Sequence, residues 1–213
     1  MLHDPDVLLY VDAGTRYTEA EMKRLPAGTT IARLPFLNNH LAVDDIIPLR
    51  NLFFVTTAAL YGDEIMIGAT GQDYRMHDKS ERFATLASEL ISYLWEPQFW
   101  TKGKQVTVQM PLKGMYKADI ISAVHAKFGD AGVEKLAQSF SCYNPDYTSE
   151  CGFCKPCRRK WIAFASLGYA HLVKNARPAV EKYEQWQLAN GTYDRSDEER
   201  ASLIQALENT KER

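Results

Sequence analysis

The chain of 213 residues lacks any run of about 18 apolar residues, so its sequence predicts no membrane-spanning helix. Its first residues, MLHDPDVLLYVDAG, lack the basic start and long apolar stretch of a secretory signal peptide, and we expect a cytoplasmic protein. The chain also lacks a large excess of acidic over basic residues, or of basic over acidic ones. The formal net charge of -2 argues against broad binding along a nucleic-acid backbone, and nucleic acid is not an expected partner.

Cysteine is absent from the chain except within residues 142–157, where four occur: Cys142, Cys151, Cys154 and Cys157. The two-residue gaps between the last three let their thiolates turn toward one ion, and the longer loop from Cys142 supplies a fourth ligand. Four thiolates with no open position are typical of a structural zinc site. We expect Gly152 to have a positive φ in this loop. The alternatives are four unrelated thiols or two disulfides, although disulfides between such closely spaced cysteines are strained.

Short apolar segments alternate with amphipathic ones along most of the chain, which predicts an α/β fold. The pattern predicts strands at 7–12, 30–34, 63–68 and 106–110, and helices at 18–25, 49–61, 80–94, 117–128, 133–138 and 160–174, with a charged helical tail broken at Asn190. Such alternation is typical of a mainly parallel sheet flanked by helices. Ligands of such sheets bind at the carboxyl ends of the strands, so the loops after Asp12 and Gly68 are candidate site walls. Alternatively, each loop is only a tight turn.

Four further segments accompany the cysteines: Tyr10–Glu21 (YVDAGTRYTEAE), Pro48–Ala59 (PLRNLFFVTTAA), Ile65–Asp78 (IMIGATGQDYRMHD) and Pro111–Ile121 (PLKGMYKADII). In this order they resemble the 7-cyano-7-deazaguanine synthases, a family of PP-loop ATP pyrophosphatases within the nucleotide alpha hydrolases. The resemblance extends over about residues 6 to 170. It implies a Rossmann-like α/β nucleotide-binding domain at residues 1–138, followed by a zinc-binding and helical region at residues 139–213.

The resemblance also implies an activity. The family converts 7-carboxy-7-deazaguanine, ATP and ammonia to 7-cyano-7-deazaguanine, a ligase reaction of queuosine biosynthesis. ATP activates the carboxylate, ammonia forms an amide, and a second ATP drives dehydration to the nitrile. The implied cofactors are structural Zn²⁺ and, in an active enzyme, Mg²⁺ with ATP. The expected partners are a deazapurine, ATP and ammonia, together with a second copy of the chain in a homodimer or a chain that supplies a strand.

The residues that would carry this activity lie in the matching segments. The implied catalytic residues are Arg50, Asp73 and Lys117, and the implied substrate- or nucleotide-binding residues are Asp12, Gly14, Arg16, Asn51, Gly68 and Asp78. Arg50 and Asn51 begin a predicted helix, whose N-terminus attracts anions. Asp73 and Asp78 can accept hydrogen bonds from the N–H groups of a guanine-like base. Arg16 and Lys117 are expected to contact the carboxylate or the phosphates. The alternative roles are a surface charge or a strut between helix and sheet for Arg50, and loop solvation for the two aspartates.

The family's phosphate loop, Ser-Gly-Gly-x-Asp-Ser, does not occur in this sequence. The chain begins shortly before the segment that aligns with the family's second strand, so we expect the first strand and this loop to be missing. Two consequences are weaker ATP binding and a sheet whose flanking strands expose their edges unless another chain supplies the strand. The chain is then a shortened enzyme, half of a split enzyme, or a catalytically degenerate relative that acts as a binding or structural subunit.

A zinc ribbon that binds nucleic acid is a third hypothesis. It accounts for the thiolates but requires a basic face, and the only basic cluster beside the cysteines is Arg158, Arg159 and Lys160. We expect these three residues to cap a site or the start of a helix.

Overall fold

The computed structural model describes residues 2–42, 46–73, 75–144, 149–191 and 196–211. The strands are β1 (Leu9–Asp12), β2 (Thr30–Arg33), β3 (Glu64–Met66) and β4 (Thr107–Gln109). The helices are α1 (Thr18–Met22), α2 (Arg50–Ala58), α3 (Glu81–Leu94), α4 (Lys117–Ala137), α5 (Lys155–Ala165), α6 (Arg177–Asn190) and α7 (Asp197–Asn209). Their order confirms the predicted α/β class. Among these described helices, none is sufficiently long and apolar to cross a membrane.

The strands pair in parallel, as predicted, but they form two separate pairs. β1 pairs with β2, from Leu9 opposite Thr30 to Asp12 opposite Arg33. β3 pairs with β4, and Ile65 lies opposite Val108. Over the described residues, no hydrogen bond joins one pair to the other, so the single sheet expected from the pattern is present as two halves.

One compact unit contains residues 5–15 and 26–114, and with them all four strands. Its main core lies between β3, β4, α2 and α3, and consists of Val55, Ala59, Ile65, Ala84, Ala87, Ile91, Val106 and Val108. A smaller core of Ala13, Leu37 and Ile47 is packed against Phe53 and Phe54 of α2. Helix α2 therefore contacts both hydrophobic clusters of this unit.

Helix α3 covers one edge of β4 with two serines. Its N-cap is Ser80, whose side chain accepts a hydrogen bond from the Phe83 N–H at 3.1 Å. The N–H groups of Val106 and Val108 donate to Ser92 Oγ and Ser88 Oγ, each at 2.9 Å. These bonds satisfy backbone donors that an edge strand would otherwise leave for water.

The other compact unit contains residues 1–4, 16–25 and 115–213, as far as they are described. α5 lies at its centre and packs against α6 and α7 through Trp161, Ile162, Ala165, Ala176, Val180, Leu203 and Ala206. α4 is broken at Gly129, which has a φ of 62°, and this break accounts for the two shorter helices predicted there. Gly191 ends α6 in a left-handed conformation, which confirms the predicted break in the tail. The predicted domain boundary at residue 138 stays a prediction.

Candidate functional site

The four cysteine thiols converge on one point. All four are free, and their sulfur atoms lie within 4.8 Å of one another. The Sγ atoms of Cys151 and Cys157 are 3.9 Å apart, as are those of Cys142 and Cys154. A tetrahedral zinc ion with Zn–S bonds of about 2.3 Å requires sulfurs roughly 3.8 Å apart. The donor set and its spacing therefore fit a four-thiolate zinc site.

Backbone amides surround these sulfurs. Cys142 Sγ accepts hydrogen bonds from the N–H groups of Asn144 at 3.2 Å and Cys151 at 3.3 Å. Cys151 Sγ accepts from the Cys154 N–H at 3.3 Å. Such bonds favour the thiolate over the thiol. Gly152 has the predicted positive φ, 79°, and a Cβ there would lie 2.6 Å from the Asn175 carbonyl oxygen.

The start of α5 supplies two of the four ligands. Cys154 is the N-cap, Pro156 lies in the first turn, and Cys157 follows. The positive end of the helix dipole favours negative charge at these positions. The hydrogen bond from the Cys157 thiol holds the pKa of Cys154 well below its usual range, whereas burial raises the pKa of Cys142. α5 thus begins five residues before the predicted start because Cys154 and Pro156 form its first turn.

A buried ion pair supports the cysteine loop from behind. Lys160 Nζ lies 3.1 Å from Glu150 Oε1, and the two side chains are 7% and 12% exposed. Glu150 Oε1 also accepts a hydrogen bond from the Ser141 N–H at 2.8 Å, and Lys160 donates to the Ser139 carbonyl. Glu150 and Ser141 adjoin Cys151 and Cys142, so one carboxylate connects the two segments that carry these ligands.

The other two cations of the basic cluster face the C-terminal helices. The Arg158 guanidinium stacks over the Tyr183 ring at 4.3 Å. Arg159 lies 4.0 Å from the carboxylate of Glu199, which is buried. Arg158, Arg159 and Lys160 are therefore engaged inside their unit, within α5 and not at its start.

In the strand-bearing unit, Asp12 and Gly14 form the turn after β1. Asp12 Oδ1 accepts a hydrogen bond from the Gly14 N–H at 2.8 Å. Gly14 has a φ of 72°, and a Cβ at this position would lie 2.7 Å from the Pro35 carbonyl oxygen. The turn therefore requires glycine, and the Asp12 carboxylate stabilises it.

Polar groups of α2 and of the loop after β3 meet in the same unit. The buried Asn51 donates from Nδ2 to the Asp78 carbonyl at 3.0 Å. Arg50 begins α2, with its guanidinium 5.8 Å from the Phe54 ring. Arg50 Nε, Asp78 Oδ1 and Gln72 Oε1 are buried atoms without a hydrogen-bond partner among the described residues. Three such orphaned groups, one donor and two acceptors, are the kind of lining that a polar ligand satisfies.

The Asp73 carboxylate is held by its own loop, which begins just after Gly68. Asp73 Oδ2 accepts from the Thr70 N–H at 3.0 Å and from Thr70 Oγ1 at 3.2 Å, and Oδ1 accepts from Lys79 Nζ at 2.8 Å. Burial alone would raise the pKa of Asp73, but the bonds from Lys79 and Thr70 hold it below its ordinary value. Asp73 is thus ionised and fixed in orientation.

Two residues predicted for the site belong to the other unit. Arg16 and the first residue of α4, Lys117, are both exposed. Their assignment to phosphate or carboxylate contacts stays a prediction.

Sequence reasoning missed the supporting residues. The contact across the cysteine loop is made by Glu150, Ser141 and Lys160, and the spacing of these residues in the sequence does not predict it. Thr70 and Lys79 were not among the predicted site residues, yet both bind Asp73. A signal was available for Glu150, because an acidic residue directly before a ligand and a lysine inside an apolar helix suggest a buried pair.

Comparison with known proteins gives one consistent result. The sequence model of the family described as queuosine biosynthesis protein QueC matches residues 27–168. A protein of Kineococcus radiotolerans named 7-cyano-7-deazaguanine synthase is 30% identical over 128 residues, which cover 57% of this chain and 53% of that protein. Its namesake in Thermosynechococcus vestitus is 29% identical over 127 residues, covering 57% and 52%. The chain therefore spans about half the length of the curated relatives it matches.

Proposed function

This chain belongs to the family of the queuosine biosynthesis protein QueC, and from that premise we propose that it acts in the ATP-dependent conversion of 7-carboxy-7-deazaguanine and ammonia to 7-cyano-7-deazaguanine. The single observation that carries the proposal is the extent of the family match. It includes both the start of α2, with Arg50 and Asn51, and the complete four-cysteine cluster. A reducing, cytoplasmic location is part of the same proposal, because the thiols must stay reduced to bind zinc.

The substrate site of this proposal is built on α2 and the loop after β3. Arg50 offers a buried, unpartnered Nε at a helix N-terminus, and it binds a phosphate or the substrate carboxylate. Asp78 offers an unpartnered Oδ1, which accepts a hydrogen bond from an N–H of the deazaguanine ring. Asn51 orients the Asp78 segment through its hydrogen bond to the Asp78 carbonyl. Gly68 leaves room beside this loop, because a Cβ there would meet nothing within 4 Å.

Five more predicted residues have roles in the proposed function. Asp73, ionised and fixed by Thr70 and Lys79, accepts a hydrogen bond from the substrate or stabilises positive charge near the reacting carboxylate. Arg16 and Lys117, which belong to the other unit, are proposed to bind a phosphate or a carboxylate through their positive charge. Asp12 and Gly14 shape the turn at the carboxyl end of β1, where parallel sheets bind nucleotides.

The metal ions have separate roles in this proposal. Zinc held by the four cysteines stabilises the fold and has no open position for a substrate. Magnesium supplies positive charge to the phosphates of ATP and binds mainly through them and through water, as it does at many phosphate sites. No carboxylate of the chain is assigned to it.

A second candidate function is a binding or structural subunit of a larger assembly, and the strand edges favour it. The carbonyls of Leu8, directly before β1, and of Asp12 face β2 and accept hydrogen bonds from the N–H groups of Thr30 and Leu34. In a parallel strand the alternate residues, Leu9 and Val11, direct their backbone groups to the opposite side. Over the described residues, no strand pairs with β1 on that side.

β3 has the same arrangement. Asp63 and Ile67 exchange hydrogen bonds with Thr107 and Gln109, which places the backbone groups of Glu64 and Met66 on the far side. Whereas α3 covers one edge of β4 with serines, no described strand pairs with β3 on its far side. Two open strand edges of this kind can each pair with an added parallel strand. For this second function we therefore propose a partner chain that supplies such a strand. The other proposed partner is a second copy of this chain, in a homodimer.

One experiment separates the two functions. The purified chain, with its zinc content confirmed, is incubated with ATP, Mg²⁺, ammonia and 7-carboxy-7-deazaguanine, and nitrile and AMP are followed by mass spectrometry. Turnover that is lost in Arg50→Gln and kept in Lys23→Gln, an exposed control, supports the enzyme. Deazaguanine binding by calorimetry without turnover supports the binding subunit. If the chain shows neither deazaguanine binding nor turnover, the enzyme and a deazaguanine-binding subunit are both contradicted, and only a structural subunit is left.

A further inference from the structure

Gln72 has a buried side-chain oxygen, Oε1, that accepts no hydrogen bond from the described residues. It lies in the short 3₁₀ turn Gly71–Asp73, in the loop after β3. The adjacent Asp73 differs, because its carboxylate accepts bonds from Thr70 and Lys79. A buried acceptor without a partner is costly, so native proteins contain few of them, and each one indicates a group that a ligand, ion or water satisfies. Gln72 therefore offers an open acceptor in this loop.

One hydrogen bond connects the turn of Gln72 to the neighbourhood of Asp78. Lys79 Nζ donates to Asp73 Oδ1 at 2.8 Å. Lys79 directly follows Asp78, and Asp73 directly follows Gln72, so this bond brings the two residues with open acceptors to the same part of the loop. The side chains of Lys79 and Asp73 are only 21% and 20% exposed. Salt therefore screens this ion pair less than a pair on the surface.

A second hydrogen bond connects Asp78 to the start of α2. Asn51 Nδ2 donates to the Asp78 carbonyl at 3.0 Å, and Asn51 directly follows Arg50 in α2. Arg50 Nε is, like Gln72 Oε1 and Asp78 Oδ1, a buried atom without a hydrogen-bond partner among the described residues. Along these two bonds the order of the open groups is Arg50, Asp78 and Gln72, with Asp78 in the middle.

The three open groups are one donor, Arg50 Nε, and two acceptors, Asp78 Oδ1 and Gln72 Oε1. The Watson–Crick edge of a guanine-like ring presents the complementary set, because O6 is an acceptor and N1–H and the exocyclic amine are donors. An adenine-like edge presents one donor and one acceptor, and would leave one acceptor of the protein without a partner. On the guanine-like ring N1–H lies between O6 and the amine, as Asp78 lies between Arg50 and Gln72. The open groups therefore match a guanine-like ring in kind and in order.

We propose that Gln72 is a specificity-determining residue whose Oε1 accepts a hydrogen bond from the exocyclic amine of the deazaguanine ring, while Asp78 accepts from N1–H and Arg50 donates to O6. The inference rests on the proposed function, since it takes a deazaguanine as the ligand. It adds that the chain distinguishes this ligand from the same ring without its amine, and that Gln72 makes the distinction.

Arg50 serves this edge of the ring and the substrate carboxylate together. A guanidinium carries five N–H groups in a planar fork. In 7-carboxy-7-deazaguanine the carboxylate at C7 adjoins O6, so the Nε–H of Arg50 donates to O6 while its terminal N–H groups bind the carboxylate. The assignment of the amine to Gln72 is therefore compatible with the carboxylate contact proposed for Arg50.

Calorimetry of the full chain with two ligands tests this assignment. The ligands are 7-carboxy-7-deazaguanine and 7-carboxy-7-deazahypoxanthine, which is the same ring without the exocyclic amine. The wild-type chain is expected to bind the first ligand more tightly by about tenfold or more, because loss of the amine leaves Gln72 Oε1 buried and unsatisfied. The titrations contain no ATP, so they measure recognition of the ring separately from turnover.

Three variants locate the source of the preference. Gln72→Met removes the acceptor at nearly constant side-chain length and is expected to bind the two ligands with similar affinity. Gln72→Glu keeps an oxygen acceptor at the same position and is expected to retain the preference for the amine. Gln105→Met is the matched control, because Gln105 is an exposed glutamine of the same unit, and it should behave like the wild type. Circular dichroism and thermal melting establish that each variant is folded.

Three results would overturn the proposal, and they differ in what they imply for the proposed function. If Gln72→Met keeps the wild-type preference, another group accepts from the amine, and the assignment to Gln72 is wrong while the proposed function stands. If the wild-type chain binds both ligands equally, no residue recognises the amine, and again only the assignment is wrong. If the wild-type chain binds neither ligand, the proposed substrate is contradicted and the assignment fails with it.

Discussion

The Glu150 carboxylate accepts a hydrogen bond from the Ser141 N–H at 2.8 Å and thereby joins the two segments that carry Cys142 and Cys151. The same carboxylate is paired with Lys160, whose side chain is only 7% exposed. The contact fixes the distance between two thiolates through groups that do not bind the metal. Residues of this kind orient metal ligands and commonly affect metal affinity.

We predict that Glu150→Gln destabilises the cysteine-bearing unit by about 3 kcal/mol, because the buried Lys160 ammonium loses its counter-charge. The amide oxygen of glutamine can still accept from Ser141, so the loss reports mainly on the charge. Chemical unfolding of the zinc-loaded protein measures the effect, and competition with a chelator measures zinc affinity, which should also fall.

A double variant provides the control for this pair. Glu150→Gln combined with Lys160→Met removes both charges and leaves no buried ammonium without a partner, so it should recover much of the lost stability. If Glu150→Gln alone is as stable as the wild type, the ion pair does not support the loop.

We predict that chelation of zinc, or Cys154→Ser, unfolds the segment from Cys142 to Trp161. Metal binding and folding are coupled where the ligands lie in a loop with little core of its own. Hydrogen exchange of this segment before and after chelation measures the effect. Phe153→Ala is a matched control, because Phe153 lies in the same loop and is 66% exposed. Unchanged melting of Cys154→Ser would argue against a structural metal.

Acidification should release the metal. Zinc binds thiolates, so protons compete with it, and burial raises the pKa of Cys142. We therefore expect the zinc affinity of the four-cysteine site to fall as the pH falls. Zinc release followed with a colorimetric indicator during acid titration checks this expectation.

A pair of glycines tests the loop geometry. Gly152 and Gly168 both have positive φ, at 79° and 85°, but a Cβ on Gly152 would lie 2.6 Å from Asn175 whereas one on Gly168 meets nothing within 4 Å. Gly168→Ala should cost about 1–2 kcal/mol for the left-handed backbone alone. Gly152→Ala should cost clearly more and weaken zinc binding. Equal melting temperatures for the two variants would show that the contact with Asn175 relaxes freely.

Local patterns predicted the elements of this fold, whereas long-range pairing had to come from the structure. Alternation of apolar residues gave the four strands, and Gly191 marked the break in the tail. The family resemblance led us to expect a missing strand with exposed edges beside it, but the pattern of β1 alone does not specify which strands pair with it, so the two parallel pairs came from the structure. The start of α5 was placed too late, since Cys154 was considered as a ligand and not also as an N-cap.

The site shows the same division. Four cysteines at short spacing define a metal centre without any knowledge of the fold, because one ion needs only those ligands. The bonds from Asn51 to Asp78 and from Lys160 to Glu150 span 27 and 10 residues. Neither follows a helical or strand period, so only the folded chain reveals them.

We predict that Asp73→Asn lowers the free energy of unfolding by about 1–2 kcal/mol at neutral pH, because its charged bond to Lys79 is lost. The pKa of Asp73 is depressed in the folded chain, so its stabilisation is present above the unfolded value of about 4 and is lost as pH falls through the lower folded value. The difference between wild type and variant should therefore shrink below about pH 4. Thermal unfolding at several pH values measures it, and a constant difference down to pH 3 would contradict the assignment.

The hydrogen bond from Asn51 to the Asp78 carbonyl gives the last prediction. Asn51 is only 3% exposed, so Asn51→Ala leaves the carbonyl without its partner and opens a small cavity. We expect a loss of about 1–3 kcal/mol in unfolding free energy and faster amide exchange at residues 75–80. Asn39→Ala, at an exposed asparagine of the same unit, is the control and should change neither quantity. If calorimetry also finds weaker deazaguanine binding in Asn51→Ala, Asn51 positions the Asp78 segment for the ligand; unchanged binding would restrict its role to the fold.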